Sequence, residues 1–138
     1  MEGKKIVSGL HHAALKCCGE AEFEKTVAFY TDVMGMTVCR TWGEGVKRGA
    51  MIDTGNGGIM EIFANAEEPL PQGAVRHVAF LTEDADEAVR VVTEAGYTVF
   101  DGPRDVTLQS DPPLPIRVAF FNGPVGEEIE LFQIREAQ

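Results

Sequence analysis

The feature that most constrains the fold is an internal repeat, because the second half of this 138-residue chain restarts the pattern of the first. Each half reads as a short apolar strand, a segment with helical spacing that ends at a glycine, and three further strands. Similar sequences follow the two helical segments: Gly-Met-Thr-Val at residues 35–38 and Gly-Tyr-Thr-Val at residues 96–99. The repeat predicts a duplicated module whose two sheets can close around one cavity.

The predicted domain organisation follows from this repeat. The first βαβββ module covers residues 7–64, a linker with two prolines covers residues 65–74, and the second module covers residues 75–135. Apolar periodicity predicts helices at residues 19–34 and 84–95. Residues 101–115, rich in Pro and Asp, are predicted to form a loop. The two modules together are expected to make one domain.

Charge and cysteine content exclude several classes of protein. The net charge of −10 repels phosphate backbones and anionic lipid, so neither nucleic acid nor a membrane surface is expected as a partner. No apolar run approaches the roughly 20 residues of a membrane helix, and no secretory signal is recognised. Three cysteines without framework spacing indicate a reduced protein. We therefore expect a cytoplasmic location.

Four polar residues interrupt apolar strands at matching points of the repeat. His77 follows His12 by 65 residues, and Glu130 follows Glu61 by 69. A carboxylate in a half-buried strand is unfavourable unless it is paired or bound to a cation. Two imidazoles and two carboxylates would form a mixed nitrogen and oxygen site for Ni, Co, Zn, Mn or Fe(II), and a poor site for Ca.

A structural interpretation competes with this one, since a single Glu or His in a strand more often faces solvent or packs structurally. Four such residues at equivalent positions favour the metal site. His11 adjoins His12 and points to the opposite face of the strand. His12 is preferred because Ala13, Ala14 and Leu15 after it resemble the residues after His77. Whether His11 takes part stays open, and His11→Ala is expected to be mild.

Four motifs resemble those of the vicinal oxygen chelate superfamily: GLHHAALK at residues 9–16, AFYTDVMGM at 28–36, GAVRHVAF at 73–80 and GEEIELF at 126–132. Their order and spacing cover residues 7 to 134. The resemblance implies an α+β fold in which two paired βαβββ modules form a cupped mixed sheet around a metal cavity. The His, Glu, His, Glu set is similar to that of glyoxalase I, or lactoylglutathione lyase.

The glyoxalase I resemblance implies a lyase or isomerase with one divalent metal per site, Ni, Co or Zn, with Mn or Fe possible. It implies a homodimer in which His12 and Glu61 of one subunit meet His77 and Glu130 of the other. The reaction would pass through a metal-bound enediolate on an α-hydroxycarbonyl, such as the hemithioacetal of methylglyoxal and a thiol. Glu130 is favoured over Glu61 as the base, although the near-symmetry leaves both open.

Two candidate substrate-binding residues follow from the same resemblance. Asn65 matches an Asn that contacts glutathione, and Lys16 stands where an Arg is usual. A lysine meets a carboxylate without the two-pronged geometry of arginine, and Gly73 replaces a second such Arg. Glutathione as the co-substrate therefore stays open. Trp42 and Arg40 are candidates for the mouth of the cavity, with a plain surface role equally open.

Several alternatives remain on the same scaffold. A coenzyme A thioester epimerase or another enolate-forming enzyme would share the chemistry, but such epimerases often carry Gln where Glu61 stands. An iron-dependent ring-cleaving dioxygenase or a fosfomycin-type thiol transferase would need fewer of the four ligands. A small-molecule-binding resistance protein without catalysis would typically lack them. Metal content and thiol-dependent activity distinguish these possibilities.

Overall fold

The computed structural model describes residues 10–70 and 72–135, which form two four-stranded sheets. The first sheet contains β1 (His12–Lys16), β2 (Thr37–Trp42), β3 (Gly49–Asp53) and β4 (Ile59–Phe63). The second contains β5 (Val78–Leu81), β6 (Val99–Leu108), β7 (Leu114–Asn122) and β8 (Glu128–Ile134). The helices are α1 (Gly19–Ala28), extended by a π-helical segment (Phe29–Val33), a short 3₁₀ turn (Gly45–Lys47) and α2 (Ala85–Glu94).

The two sheets have the same topology. Their strand orders are β1-β4-β3-β2 and β5-β8-β7-β6. In each sheet the first and last strands of the module pair in parallel, and the other two pairings are antiparallel. This confirms the predicted α+β fold of two mixed sheets built from paired modules.

The chain divides into two compact units, Met1–Pro69 and Leu70–Gln138, each with one sheet. Among the residues that the structure describes, no helix has the length and apolar content needed to cross a membrane.

One face of each sheet is buried beneath its helix. In the first unit, α1 packs on β4, where Met60 and Ile62 are buried together with Phe23 of the helix. In the second, α2 packs on β8, where Ile129 and Leu131 are buried. Because side chains alternate along a strand, the residues between these apolar ones point to the opposite face. Each unit therefore has a helix-covered face and an open face.

The helix ends agree with the sequence signals. Asp84 caps α2 by accepting a hydrogen bond from the backbone N–H of Glu87 at 3.1 Å. Gly96, with φ of +100°, follows the end of α2, and Gly35, with φ of +77°, follows the π-helical segment after α1. These left-handed conformations suit glycine and turn the chain into the next strand.

The prediction of a loop at residues 101–115 is correct only for residues 109–113 and wrong for the rest, because β6 extends to Leu108 and β7 begins at Leu114. The ladder between β6 and β7 carries two register shifts, one on each side of Asp101. Pro103 lies within the second shift. A β-bulge tolerates a proline because the residues at the bulge leave the regular hydrogen-bond ladder.

Candidate functional site

The first candidate pair lies on the open face of the first sheet. Strand β1 runs parallel to β4, with Ala14 opposite Glu61, so His12 lies two residues away on the same face. The Nε2 atom of His12 is 3.1 Å from Oε1 of Glu61. The His12 side chain is 37% exposed, whereas that of Glu61 is 11% exposed. The pair thus combines a buried carboxylate with an imidazole that reaches solvent.

The second candidate pair repeats this arrangement in the second sheet. Ala79 lies opposite Glu130, and His77 again precedes that alanine by two residues. The Nε2 atom of His77 is 3.2 Å from Oε1 of Glu130, and the side chains are 42% and 11% exposed. His77 lies just before β5 rather than within it. The duplicated topology therefore reproduces the geometry and the burial of the pair.

The surroundings of Glu130 disfavour the charged form of its carboxyl group. Burial raises the pKa of Glu130 above its usual range, and the nearby Glu128 raises it further. His77 and Arg104 lower the pKa of Glu130, but they do not cancel the effect of burial. A bound cation would remove this penalty, because it favours the charged carboxylate.

His11 contacts the other side of the His12 ring. The Nδ1 atoms of the two imidazoles are 2.9 Å apart, and the rings meet edge to face. One of these nitrogens must therefore carry a proton and the other must accept it. With Glu61 at Nε2 and His11 at Nδ1, both nitrogens of His12 have a partner.

Lys16 and Asn65, the two predicted substrate-binding residues, lie at the ends of β1 and β4 in the first unit. Lys16 is exposed at the end of β1, opposite Phe63. Asn65 is exposed just beyond β4, where it forms an isolated β-bridge with Cys18. Alternation along the strands places Lys16 on the same face as His12 and Glu61. Their roles in binding substrate stay predictions.

Arg104 was not found by the sequence analysis. It lies on β6, forms an ion pair with Asp101 at 2.8 Å, and acts electrostatically on Glu130. The predicted loop at residues 101–115 hid its position on a strand, and a lone arginine between Pro103 and Asp105 carries no motif that indicates an electrostatic effect on Glu130.

The imidazole and carboxylate groups of each pair are suitable ligand types for a divalent ion of borderline softness. Each pair alone has too few of them. Imidazole nitrogen and carboxylate oxygen suit Zn, Ni, Co, Mn and Fe. Across the described ranges 10–70 and 72–135, no three His, Cys, Asp or Glu side chains gather closely enough to hold a metal ion. Each pair supplies two donors, and protein metal sites of this type usually use three or four.

Comparison with known families identifies the fold. Residues 9–131 match the sequence profile of the Glyoxalase/Bleomycin resistance protein/Dioxygenase superfamily. The chain belongs to this superfamily. The match spans most of both modules and confirms the resemblance found in the sequence motifs. Members of the glyoxalase superfamily bind small molecules, commonly bind a metal and often dimerise. No curated protein matches the chain significantly.

Several solved structures share this fold at low sequence identity. TnmS3, an antibiotic binding protein from Streptomyces sp. CB03234, is 21% identical with a TM-score of 0.74, covering 96% of this chain and all (100%) of TnmS3. A glyoxalase family protein from Bacillus anthracis is 18% identical with a TM-score of 0.71 and the same coverages, 96% and 100%. An integron cassette protein from V. cholerae is 23% identical with a TM-score of 0.66, with coverages of 95% and 98%. These similarities establish the fold and leave the activity to the site itself.

Proposed function

We propose that this protein is a metal-dependent lyase or isomerase of the glyoxalase I type, in which His12, Glu61, His77 and Glu130 bind one divalent ion. Ni, Co and Zn are the preferred ions, with Mn and Fe as alternatives. The observation that carries the proposal is the equivalence of the two pairs. Each joins an imidazole Nε2 to a carboxylate Oε1, at 3.1 Å and 3.2 Å.

A purely structural ion pair explains this equivalence less well. An exposed histidine gains little from an ion pair, and burial of a carboxylate is unfavourable unless the carboxylate is paired or bound to a cation. The arrangement nevertheless occurs in both modules, with the same register and the same 11% exposure of the carboxylate. Metal binding would explain why both modules place a His–Glu pair at this position.

The two pairs must act together, because two donors do not complete such a site. In a homodimer one subunit would supply His12 and Glu61, and the other His77 and Glu130. This assignment is part of the proposal and is tested below by mixing variants.

The proposed reaction moves a proton between the two carbons of an α-hydroxycarbonyl, such as the hemithioacetal of methylglyoxal and a thiol. When bound, the metal acts as a Lewis acid that favours negative charge on neighbouring substrate oxygens. Once released from the ion, the Glu130 carboxylate would take the proton from one carbon and return it to the next. Glu130 is preferred over Glu61 as the base, and the near-symmetry of the two pairs leaves Glu61 as the alternative.

The test joins a binding measurement to an activity measurement. The protein is stripped with a chelator and titrated with Ni²⁺, Co²⁺ and Zn²⁺, and methylglyoxal is then supplied with glutathione or with another thiol. We expect stoichiometric metal binding and isomerisation that Glu61→Gln and Glu130→Gln each reduce at least a hundredfold. Glu83→Gln, which changes an exposed carboxylate of the second unit, is the control and should retain activity. Failure to bind any of the three ions would refute the proposal.

Two alternatives have distinct outcomes in this test. Metal binding without thiol-dependent activity, but with proton exchange next to the carbonyl of a coenzyme A thioester, would favour an epimerase. A protein that binds a small molecule without metal and without turnover would be a binding protein of the resistance type.

A further inference from the structure

An aromatic row crosses the open face of the first sheet beside the His12–Glu61 pair. Trp42 lies opposite Gly49, Gly49 opposite Phe63, and Phe63 opposite Lys16, so the row runs over all four strands. Phe63 follows Glu61 by two residues on β4, which places the row on the face that carries the pair. The row lies roughly 7 Å along the strands from Glu61, at about 3.4 Å per residue.

The Trp42 ring lies directly on the backbone of Gly49. A Cβ built on Gly49 would stand 2.3 Å from Cε2 and Cζ2 of the indole, closer than any real contact. Phe63 meets the same ring edge to face, with centroids 6.1 Å apart. Glycine is required at position 49 for space rather than for an unusual backbone angle, since its φ is not positive. These contacts fix the indole position while leaving the side chain 38% exposed.

The Trp42 ring lying on Gly49 forms a surface, the Trp42–Gly49 platform, that has no counterpart in the second sheet. In the second sheet the equivalent row consists of Arg104, Val118, Phe132 and Leu81. The phenylalanine is retained, but valine and arginine stand where the first sheet has Gly49 and Trp42. The equivalent row lacks the glycine and tryptophan, so the fold itself does not require the Trp42–Gly49 contact.

We infer that the Trp42–Gly49 platform binds a planar aromatic group of the substrate, next to the oxygens held at the His12–Glu61 pair. The inference rests on the proposed function, and it defines the substrate class as aryl-substituted, anionic α-hydroxy- or α-oxo-carbonyl compounds. Aromatic rings stack favourably on an exposed indole face. Lys16 is the cation of the same row, and it suits an anionic group in a protein whose net charge is −10.

The dimensions of the row agree with such a ligand. Neighbouring strands lie about 4.8 Å apart, so three steps place the Cα atoms of Lys16 and Trp42 roughly 14 Å apart. Both side chains are long, so their ends can lie closer together than their Cα atoms. A ligand with a ring on Trp42 and a carboxylate at Lys16 would lie over Phe63, roughly 7 Å along the strand from Glu61 at about 3.4 Å per residue.

Trp42 is the single tryptophan of the chain, so its fluorescence reports binding at the platform directly. The metal-loaded protein is titrated with 3-phenyllactate and with lactate, which differ only in the ring. Excitation at the red edge of indole absorption avoids the ligand. We expect phenyllactate to change the Trp42 emission and to bind about tenfold more tightly than lactate, which corresponds to about 1.4 kcal/mol of stacking.

Gly49→Ala is the decisive variant, because its Cβ displaces the indole without removing any apolar side chain. It should abolish the tenfold preference for phenyllactate, measured by calorimetry, while metal affinity and helix content stay unchanged. Val46→Ala is the control, since it removes an exposed apolar side chain of the same unit and should keep the preference.

Equal affinities for the two ligands in the wild-type protein, no binding of phenyllactate, or an undiminished preference in Gly49→Ala would each overturn the inference. Failure of the proposed function is seen separately, as the absence of metal binding in the same samples.

Discussion

At the scale of single residues, His11 gains a role from its contact with His12. If Nε2 of His12 binds a metal, that nitrogen carries no proton, so the proton of the neutral ring is on Nδ1. His12 then donates from Nδ1, and His11 accepts at 2.9 Å. Such outer partners orient metal-binding histidines. This contact argues against the expectation from the sequence that His11→Ala has only a mild effect.

His11→Phe should weaken Co²⁺ binding about tenfold, because the ring keeps its bulk but loses the acceptor. His11→Asn should retain most of the affinity, because an amide oxygen can accept the same hydrogen bond. Co²⁺ absorption in the visible range measures the affinity. Arg76→Phe, at the position before His77, is the matched control and should have no effect. Equal affinities for the wild type and the phenylalanine variant would exclude the role.

The ionisation of the Glu130 carboxyl group is expected to affect the stability of the metal-free protein. Its pKa is raised in the folded state by burial, so folding favours the protonated form. The stabilising contribution of that form is present at acid pH and is lost as pH rises through the folded pKa.

Glu130→Gln should therefore raise the Tm of the chelator-treated protein by a few degrees at pH 8, and the gain should shrink towards pH 4. Thermal melts monitored by circular dichroism across this range provide the measurement. Glu83→Gln, which changes an exposed carboxylate of the same unit, serves as the control. A difference between wild type and Glu130→Gln that does not vary with pH would contradict this account.

At the scale of elements, the sequence predicted the parts that depend on local signals. Alternating apolar residues and the glycines at positions 35 and 96 indicated the helices and most strands. The extension of β6 and β7 into residues 101–115 was missed because it depends on pairing between two strands, which no local signal reports. Pro103 and Pro115 within these strands favoured a loop, whereas bulges and a strand end accommodate them.

Gly102 holds the bulged part of β6 in place. Its φ is +88°, and an added Cβ would stand 2.4 Å from the backbone oxygen of Val118. Gly102→Ala should lower the free energy of unfolding by roughly 2–4 kcal/mol, since it combines a left-handed backbone with a clash against the neighbouring strand.

Gly126 is a suitable comparison, because it has the same φ of +88° with nothing within 4 Å of a built Cβ. Gly126→Ala should lower the unfolding free energy by only about 1–2 kcal/mol, from the backbone alone. Urea unfolding measures both variants. Similar losses would show that the close approach to Val118 is relieved elsewhere in the sheet.

At the scale of the whole molecule, the internal repeat allowed the candidate site to be predicted from the sequence. Either pair alone resembles an ordinary strand Glu and His, but the matching offsets of 65 and 69 residues singled out all four. Only the family resemblance predicted how the pairs combine, because the assembly of subunits leaves no local pattern in the sequence.

Mixing two inactive variants tests the proposed assembly. One variant carries His12→Ala and Glu61→Gln, and the other His77→Ala and Glu130→Gln. If sites form across a homodimer, a mixed dimer contains one intact site and one doubly altered site. Random exchange of subunits should then restore about a quarter of the wild-type metal sites and activity. Each variant alone is the control, and a mixture as inactive as its components would show that both pairs must come from one chain.

The unequal exposure within each pair has a kinetic consequence. An ion arriving from solvent meets the imidazoles first, since they are 37% and 42% exposed, and the glutamates behind them only afterwards. We expect loading to proceed from histidine to glutamate, and release to begin with the carboxylates. We expect a chelator to strip the protein at a rate set by release of the ion from Glu61 and Glu130.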